Sequence, residues 1–129
     1  MNIGQTFAKG ERIFLQKEMD FLFKEGSSLQ VYPLRVVYAA KKPLSGFPVA
    51  VLVSVSKKRF KRAVKRNRLK RLMREAYRRN KQMLWQSELI QDKGMLIAFL
   101  YISHETCKYD TVEAAMKKAL DKIRMNDAL

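Results

Sequence analysis

One stretch of the chain, residues 57–81, limits the possible folds more than any other feature of the sequence. This segment, KKRFKRAVKRNRLKRLMREAYRRNK, holds 14 of the 27 Lys and Arg residues but only one of the 12 acidic residues, Glu75. Its apolar residues recur every three or four positions, at Leu69, Leu72, Met73, Ala76 and Tyr77. This spacing predicts a helix with one face in a hydrophobic core. The segment is therefore part of a folded domain and not a disordered basic tail.

The opposite side of the predicted helix is strongly cationic. A helical wheel groups there the side chains of Asn67, Lys70, Arg71, Arg74, Arg78 and Lys81. Like charges four residues apart on a helix repel one another by about 0.2–0.5 kcal/mol per pair, and a polyanion relieves that repulsion. Eight of the 14 cations are arginines, whose planar guanidinium groups bond phosphate oxygens in pairs. We therefore predict a nucleic-acid-binding face. An anionic membrane is the minor alternative, because a membrane-surface helix needs its apolar face free.

The rest of the chain has the composition of a small globular protein. The remaining 104 residues carry 13 basic and 11 acidic groups, and 47% of the 129 residues are apolar. The length predicts one domain, and no apolar run reaches the roughly 20 residues of a membrane span. The first residues lack the apolar stretch of a signal peptide, and Cys107 is the only cysteine. We expect a cytoplasmic protein.

The pattern along the chain predicts the element order helix, strand, strand, helix, strand, helix. Polar residues 1–12 predict a flexible N-terminal segment, and residues 13–129 a single domain. A first helix is expected over residues 14–25. Strands over residues 29–40 and 49–56 are expected to form an antiparallel hairpin, with Pro33 marking an edge strand or a bulge. The basic helix, a buried strand over residues 95–102 and a last helix follow.

The sequence contains no recognisable catalytic or metal centre. His104 is the only histidine, so neither a Ser-His-acid triad nor a three-histidine metal site can form. His104 and Cys107 have the spacing of two metal ligands, but no neighbouring residues complete a set of four. The five glycines lie too far apart to form a phosphate-binding loop. We expect that the catalytic groups of any reaction come from a partner.

Aromatic residues that precede the basic helix favour RNA over DNA as the polyanion. The predicted first helix contains Phe21 and Phe23, and the predicted first strand contains Tyr32 and Tyr38. Unpaired bases stack on exposed aromatic rings, whereas ordinary core packing is the alternative for each residue. For Phe21 and Phe23 both interpretations stay open. Tyr38 is the better candidate for ligand contact, because a phenol at a strand end often reaches solvent.

The order of residues in the basic segment resembles a known family. Residues 54–78, SVSKKRFKRAVKRNRLKRLMREAYR, are similar to the signature of bacterial ribonuclease P protein subunits, which ends in Arg-Asn-Arg-x-Lys-Arg-x-x-Arg-Glu. A weaker similarity extends over about residues 12–125. The resemblance implies a small α+β domain with a mixed sheet packed by helices. It also implies that the basic helix links parallel strands in a left-handed crossover, where the general rule favours a right-handed one.

The resemblance also implies a function. In that family the protein joins a catalytic RNA, and the ribonucleoprotein is an endoribonuclease that hydrolyses one phosphodiester bond to remove the 5′ leader of precursor tRNA. The implied partners are ribonuclease P RNA and precursor tRNA, with a monomeric protein in a 1:1 complex with the RNA. The catalytic Mg²⁺ ions would be held by the RNA, and the protein would supply no catalytic residue.

The resemblance assigns two sets of binding residues. The first set would contact RNA along the basic segment: Lys57, Lys58, Arg59, Arg62, Lys65, Arg66, Asn67, Arg68, Lys70, Arg71, Arg74 and Arg78. The second set would line a central cleft for the single-stranded leader: Met19, Phe23, Tyr38 and Ser54. Met19 stands where many family members have an aromatic residue, and Leu100-Tyr101 where many have a basic one.

Two other functions are compatible with the charge and the size of the chain. A structural RNA-binding protein of ribosomal type needs nothing beyond a basic face on a small domain. A DNA-binding module would need a helix that presents base-reading side chains. Binding preferences among ribonuclease P RNA, ribosomal RNA fragments and duplex DNA separate these alternatives.

Overall fold

A four-stranded mixed sheet forms the centre of the computed structural model, which describes residues 9–13 and 15–127. A 3₁₀ turn at Lys9–Glu11 precedes the main elements, which are α1 (Gln16–Glu25), β1 (Ser27–Val31), β2 (Leu34–Ala39), β3 (Val49–Val55), α2 (Ala63–Asn80), α3 (Gln82–Trp85), α4 (Glu88–Lys93), β4 (Met95–Tyr101) and α5 (Tyr109–Asp127). The α+β class and the mixed sheet are confirmed. Within the described residues, none of the helices is long and apolar enough to cross a membrane.

The pairing of the strands corrects the predicted hairpin. The strand order is β1-β2-β4-β3, so β3 does not pair with β2 but lies parallel to β4, with Val49 opposite Met95. The predicted strand over residues 29–40 is two antiparallel strands, β1 and β2, joined by a turn at Tyr32 and Pro33. Proline has no amide hydrogen to donate to a strand ladder, and here it ends the strand instead of interrupting it. β4 is buried along most of its length, which suits a central strand with a neighbour on each side.

The connection between the parallel strands β3 and β4 runs through α2, α3 and α4. The predicted order of elements is retained, except that β1 and β2 replace the first predicted strand and that the short helices α3 and α4 follow α2. The left-handed sense of this crossover stays a prediction.

Each face of the sheet has its own core. On one face, alternate residues such as Val36, Val51 and Phe99 pack against Met73 of α2 and against α5. On the other face, Val37, Ala50 and Ala98 pack against Leu22 of α1. Four side chains at one end of this second face are exposed or half-buried, so α1 covers that face only in part; they are Gln30, Arg35, Leu100 and Ser54.

The apolar stripe of α2 can be tested by its contribution to the free energy of unfolding. Met73 is fully buried, whereas the adjacent Leu72 is half-buried, although the sequence pattern places both in the core. We expect Met73→Ala to lower the free energy of unfolding by about 2–5 kcal/mol, because the cavity it leaves is enclosed on all sides. Leu72→Ala serves as the matched control and should cost clearly less. Urea denaturation measures both, and equal losses would contradict the assignment of the core face.

Residues 9–12, which the sequence predicts to be flexible, are packed onto the domain. Arg12 forms a parallel β-bridge with Val51, and the Ile13 amide donates a hydrogen bond to the Val51 carbonyl at 3.0 Å. The Glu11 carboxylate is buried in an ion pair with the Lys81 ammonium. This pair joins residues 70 positions apart and therefore leaves no local sequence pattern. Residues 1–8 of the predicted flexible segment, and Phe14 of the predicted first helix, lie outside the described residues, and the domain boundary at residue 13 stays a prediction.

Lys81 is therefore not on the cationic face where the helical wheel puts it. α2 ends at Asn80, and Lys81 lies between α2 and α3. Its ammonium nitrogen lies 4.7 Å from the centre of the Trp85 ring, and the Trp85 indole donates a hydrogen bond to the Tyr77 hydroxyl at 3.0 Å. Burial raises the pKa of Tyr77, and the nearby Glu11 carboxylate adds to that rise. The ion pair thus lies among large apolar side chains.

Candidate nucleic-acid interface

The basic segment consists of a tight turn followed by α2. After β3, the amides of Arg59 and Phe60 donate hydrogen bonds to the Ser56 carbonyl at 3.2 and 3.1 Å, and the Lys58 amide donates to Ser56 Oγ at 3.1 Å. The buried Phe60 ring packs with its centre 5.8 Å from that of Tyr101. One apolar anchor in the sequence KKRF therefore fixes the turn, while Lys57 and Lys58 extend into solvent.

The first turn of α2 contains no acidic residue. Arg62, Lys65 and Arg66 surround this end of the helix instead, where the helix dipole already favours a negative group. At the other end, the Asn80 side chain donates a hydrogen bond to the Glu113 carboxylate of α5 at 3.1 Å. Hydrogen bonds from Asn80 and then Tyr109 lower the pKa of Glu113, which keeps this link charged. The helix is thus held at its far end, while its cationic first turns face solvent.

The predicted RNA contacts differ in their exposure. Seven are exposed: Lys57, Lys58, Arg62, Lys65, Asn67, Arg68 and Arg71. Five are half-buried: Arg59, Arg66, Lys70, Arg74 and Arg78. Every predicted side chain is thus at least partly accessible to solvent.

Four of the predicted residues converge on one groove, which we call the arginine groove. The residues that line it from α2 are Asn67, Arg71, Arg74, Glu75 and Arg78. Arg12 lines it from the N-terminal segment. Its volume is about 460 Å³, enough for a phosphate group and its neighbours. The sequence gives no indication of Arg12, because the β-bridge that positions it joins distant parts of the chain.

The charges inside the arginine groove are unbalanced. Arg78 forms a two-pronged ion pair with the Glu75 carboxylate, with nitrogen–oxygen distances of 3.0 and 2.5 Å. The hydrogen bond from Arg78 lowers the pKa of Glu75. Partial burial, and next the charge of Arg12, lower the pKa of Arg74, although a guanidinium remains protonated at neutral pH. The lining of the groove thus has four guanidinium groups and one carboxylate, which is bonded to Arg78, and an anion in the groove would relieve the repulsion among the cations.

Arg66 also contributes to the structure of the interface. Its Nη1 donates hydrogen bonds to the carbonyls of Phe60 and Lys61, both at 2.8 Å. These bonds tie the turn to the start of α2 and so position the lysines that precede it. A guanidinium carries five N–H donors, so this role is compatible with a ligand contact.

The predicted cleft residues come together only in part. Ser54 lies in the row of side chains that α1 leaves uncovered, next to Leu100 on the neighbouring strand. Met19 packs half-buried in the core between α1 and this face, and Phe23 of α1 is 51% exposed. Tyr38 lies elsewhere, because Val37 and Ala39 on either side of it face α1.

Tyr38 instead packs half-buried against the core of the opposite sheet face. It shares a pocket of about 390 Å³ with Phe21, at the end of the sheet. The Phe21 ring there lies 4.3 Å from the Lys41 ammonium nitrogen. The structure thus separates Tyr38 from Ser54 and Met19.

One further cation in the uncovered row was not predicted. Arg35 lies opposite Leu100 of β4 and Gln30 of β1 and is exposed. It alternates with the buried Leu34 and Val36, so the two-residue period of β2 could have identified it.

The H-x-x-C pair has ordinary contacts. His104 is exposed, and Cys107 Sγ lies 3.3 Å from the Tyr101 hydroxyl, which donates to the Glu105 carbonyl at 2.6 Å. Within residues 9–13 and 15–127, no three His, Cys, Asp or Glu side chains are grouped so that they could hold a metal ion.

Comparisons with known proteins agree with this geometry. A family model described as Ribonuclease P matches residues 7–124. The chain is 47% identical over 121 residues to the ribonuclease P protein component of Porphyromonas gingivalis, covering 92% of this chain and 87% of that one. The solved RNase P protein from Thermotoga maritima matches with a TM-score of 0.68 at 28% identity, over 87% of this chain and 96% of that one. The Staphylococcus aureus RNase P protein, 20% identical, has the same fold, with a TM-score of 0.70 over 90% and 97% of the two chains.

Proposed function

Because the chain belongs to the ribonuclease P protein family, we propose that it binds a ribonuclease P RNA in the cytoplasm and assists removal of the 5′ leader from precursor tRNA. Membership of this family associates the chain with an RNA partner and an endoribonuclease complex. The arginine groove is the observation that carries the finer proposal. It places Asn67, Arg71, Arg74 and Arg78 around one space on a helix whose other face is fixed in the core.

In the proposed complex, α2 positions the protein on the RNA backbone. Its guanidinium groups bond phosphate oxygens, and these contacts set orientation and affinity but not sequence preference. One protein would bind one RNA, and the exposed Lys57 and Lys58 would contact phosphates beside the groove. The chain thus contributes binding and orientation to the reaction.

We propose that the catalytic Mg²⁺ ions are held by the RNA and not by the basic surface of this chain. Mg²⁺ prefers carboxylate and phosphate oxygens, whereas Arg71 and Arg74 carry positive groups that repel it. The Glu75 carboxylate in the arginine groove is bonded to Arg78. We therefore propose that hydrolysis takes place on the RNA, with no catalytic residue from this chain.

We propose that the single-stranded leader lies along the part of the sheet that α1 leaves uncovered. Phe23 would present an exposed ring to the leader, and Arg35 would present a positive charge. Ser54 and Leu100 would form the sheet surface on which the leader lies. Alternating aromatic, basic and apolar groups suit an unpaired strand of any sequence.

Phe23→Ala tests this cleft. We expect the affinity for precursor tRNA to fall by about 1–3 kcal/mol, because one stacked base loses its platform. Binding of mature tRNA, which lacks the leader, should not change. Tyr32→Ala is the matched control, since Tyr32 is another exposed aromatic residue but lines a separate pocket together with residues of α5. Equal losses for precursor and mature tRNA in equilibrium binding would contradict the cleft assignment.

Competition binding tests the choice of RNA. We expect a labelled bacterial ribonuclease P RNA to be displaced from the protein by itself, but only weakly by ribosomal RNA fragments or duplex DNA of equal length. Stronger displacement by ribosomal RNA would favour a structural role of ribosomal type and overturn the proposal.

A further inference from the structure

A buried ion pair attaches the N-terminal segment to the end of α2. Glu11 is 1% exposed and Lys81 0%, so neither side chain can touch a bound RNA. The Lys81 ammonium also lies over the Trp85 ring, which restricts its position further. Burying two charges requires a close pairing, and loss of one partner leaves the other without compensation. The pair therefore holds residue 11 firmly against the domain.

The backbone of Arg12, which follows Glu11, is held in place as well. Ile13 is buried and its amide is bonded to Val51, so the residues on both sides of Arg12 are held. Glu11, the last residue of the 3₁₀ turn, and Ile13 are both buried, whereas Arg12 between them is exposed and lines the arginine groove.

This fixed position matters because Arg12 faces like charges. The charge of Arg12 is close enough to Arg74 to lower its pKa, second in effect to burial. Repulsion would move the side chain of a loosely attached segment away from the three arginines of α2, whereas the buried pair and the bridge to Val51 attach this segment to the domain. A phosphate in the groove would then be contacted from two sides, by Arg12 and by α2.

We infer that Arg12 is a phosphate-binding residue that forms the second wall of the arginine groove, and that the buried Glu11–Lys81 pair positions it there. The ligand class is the phosphate of a nucleic-acid backbone. Its assignment to RNA rests on the proposed function, whereas the groove and the pair do not.

The groove is tested with inorganic pyrophosphate as the probe. In ¹⁵N-resolved NMR spectra, the Nε–Hε signals of Arg12, Arg71 and Arg74 should shift together and with one midpoint. We expect Arg12→Ala to raise the dissociation constant of this site about tenfold, as for the loss of one charge-assisted hydrogen bond. Lys9→Ala is the matched control, since Lys9 is an exposed cation in the same segment outside the groove. An Arg12→Ala variant that binds pyrophosphate as the wild type does would overturn the inference.

Two variants that do not touch the ligand test the positioning role. Glu11→Gln and Lys81→Met alter the pair from opposite sides, and methionine keeps most of the volume of the lysine stem. At a temperature where circular dichroism shows each variant folded, we expect each to raise the same dissociation constant about tenfold. Adding Arg12→Ala to either should cause no further loss. A purely structural pair would lower the melting temperature and leave pyrophosphate binding unchanged, which would contradict the positioning role.

The same measurements separate this inference from the proposed function. If the protein fails to bind ribonuclease P RNA but pyrophosphate binding still depends on Arg12, the proposed function is wrong and the groove assignment stands. If the protein binds that RNA but Arg12→Ala leaves pyrophosphate binding unchanged, the inference is wrong and the function stands.

Discussion

Replacing Arg71 and Arg74 together by alanine is expected to weaken binding to ribonuclease P RNA about 100-fold at moderate salt. Both side chains line the arginine groove together with Arg12 and Arg78, whereas the carboxylate of Glu75, the acidic residue of that lining, is bonded to Arg78. Each phosphate contact releases condensed counterions, so the plot of log affinity against log salt should become shallower by about 1.4–1.8 units. The melting temperature should stay close to the wild-type value, because the change removes repulsion and leaves the core intact.

The matched control for this double variant removes the same charge elsewhere. Lys118 and Lys122 are exposed on α5, away from the arginine groove, and their replacement by alanine also lowers the net charge by two. We expect a much smaller change in both affinity and salt dependence. Equal changes in the two double variants would show that the RNA responds to total charge and not to the groove.

The second large effect concerns stability. Lys81→Met should lower the free energy of unfolding by about 3–5 kcal/mol, because it removes the ammonium group that pairs with the buried Glu11 carboxylate. Losses of this size are a large part of the stability of a small domain. Chemical denaturation monitored by circular dichroism measures the change.

The double variant Glu11→Leu/Lys81→Met distinguishes an uncompensated charge from lost packing. Replacing both members of a buried ion pair by apolar residues of similar size is often close to neutral. We therefore expect the double variant to recover most of the stability that Lys81→Met loses. A double variant as unstable as the single one would show that packing, and not charge pairing, holds the segment.

The structure confirms those parts of the sequence analysis that rest on local patterns. The apolar stripe through Leu69, Met73 and Tyr77 lies within three turns of one helix, and it locates α2 despite the charge around it. The strand over residues 95–102 is equally clear, because an uninterrupted apolar run of that length suits a buried strand. α2 alone carries eight of the 12 predicted RNA contacts.

Sequence patterns do not predict the structure where contacts between distant residues decide it. No local pattern shows that β3 pairs with β4 across the whole of α2, or that Glu11 and Lys81 form a pair. The helical wheel places Lys81 with the solvent-facing cations, because it assumes that α2 continues past Asn80. Arg12 is missed for a related reason, since its place in the groove depends on the bridge to Val51.

The sequence also does not predict which of the cleft residues lie on the same face of the sheet. Successive side chains of a strand point to opposite faces, so the register decides which ones share a surface. Tyr38 and Ser54 are near strand ends in the sequence, but they face opposite sides of the sheet. The same register adds Arg35 to the uncovered row.

The central claim is that this chain assists a ribonuclease P RNA in cleaving precursor tRNA. The most direct measurement is the single-turnover rate of 5′ leader removal, at a Mg²⁺ concentration where the RNA alone is slow. We predict that the wild-type protein raises this rate to a plateau at one protein per RNA, with the cut at the mature 5′ end. The Arg71→Ala/Arg74→Ala variant should need a much higher concentration to reach the same plateau. A rate that does not change at any concentration of a folded wild-type protein would contradict the account.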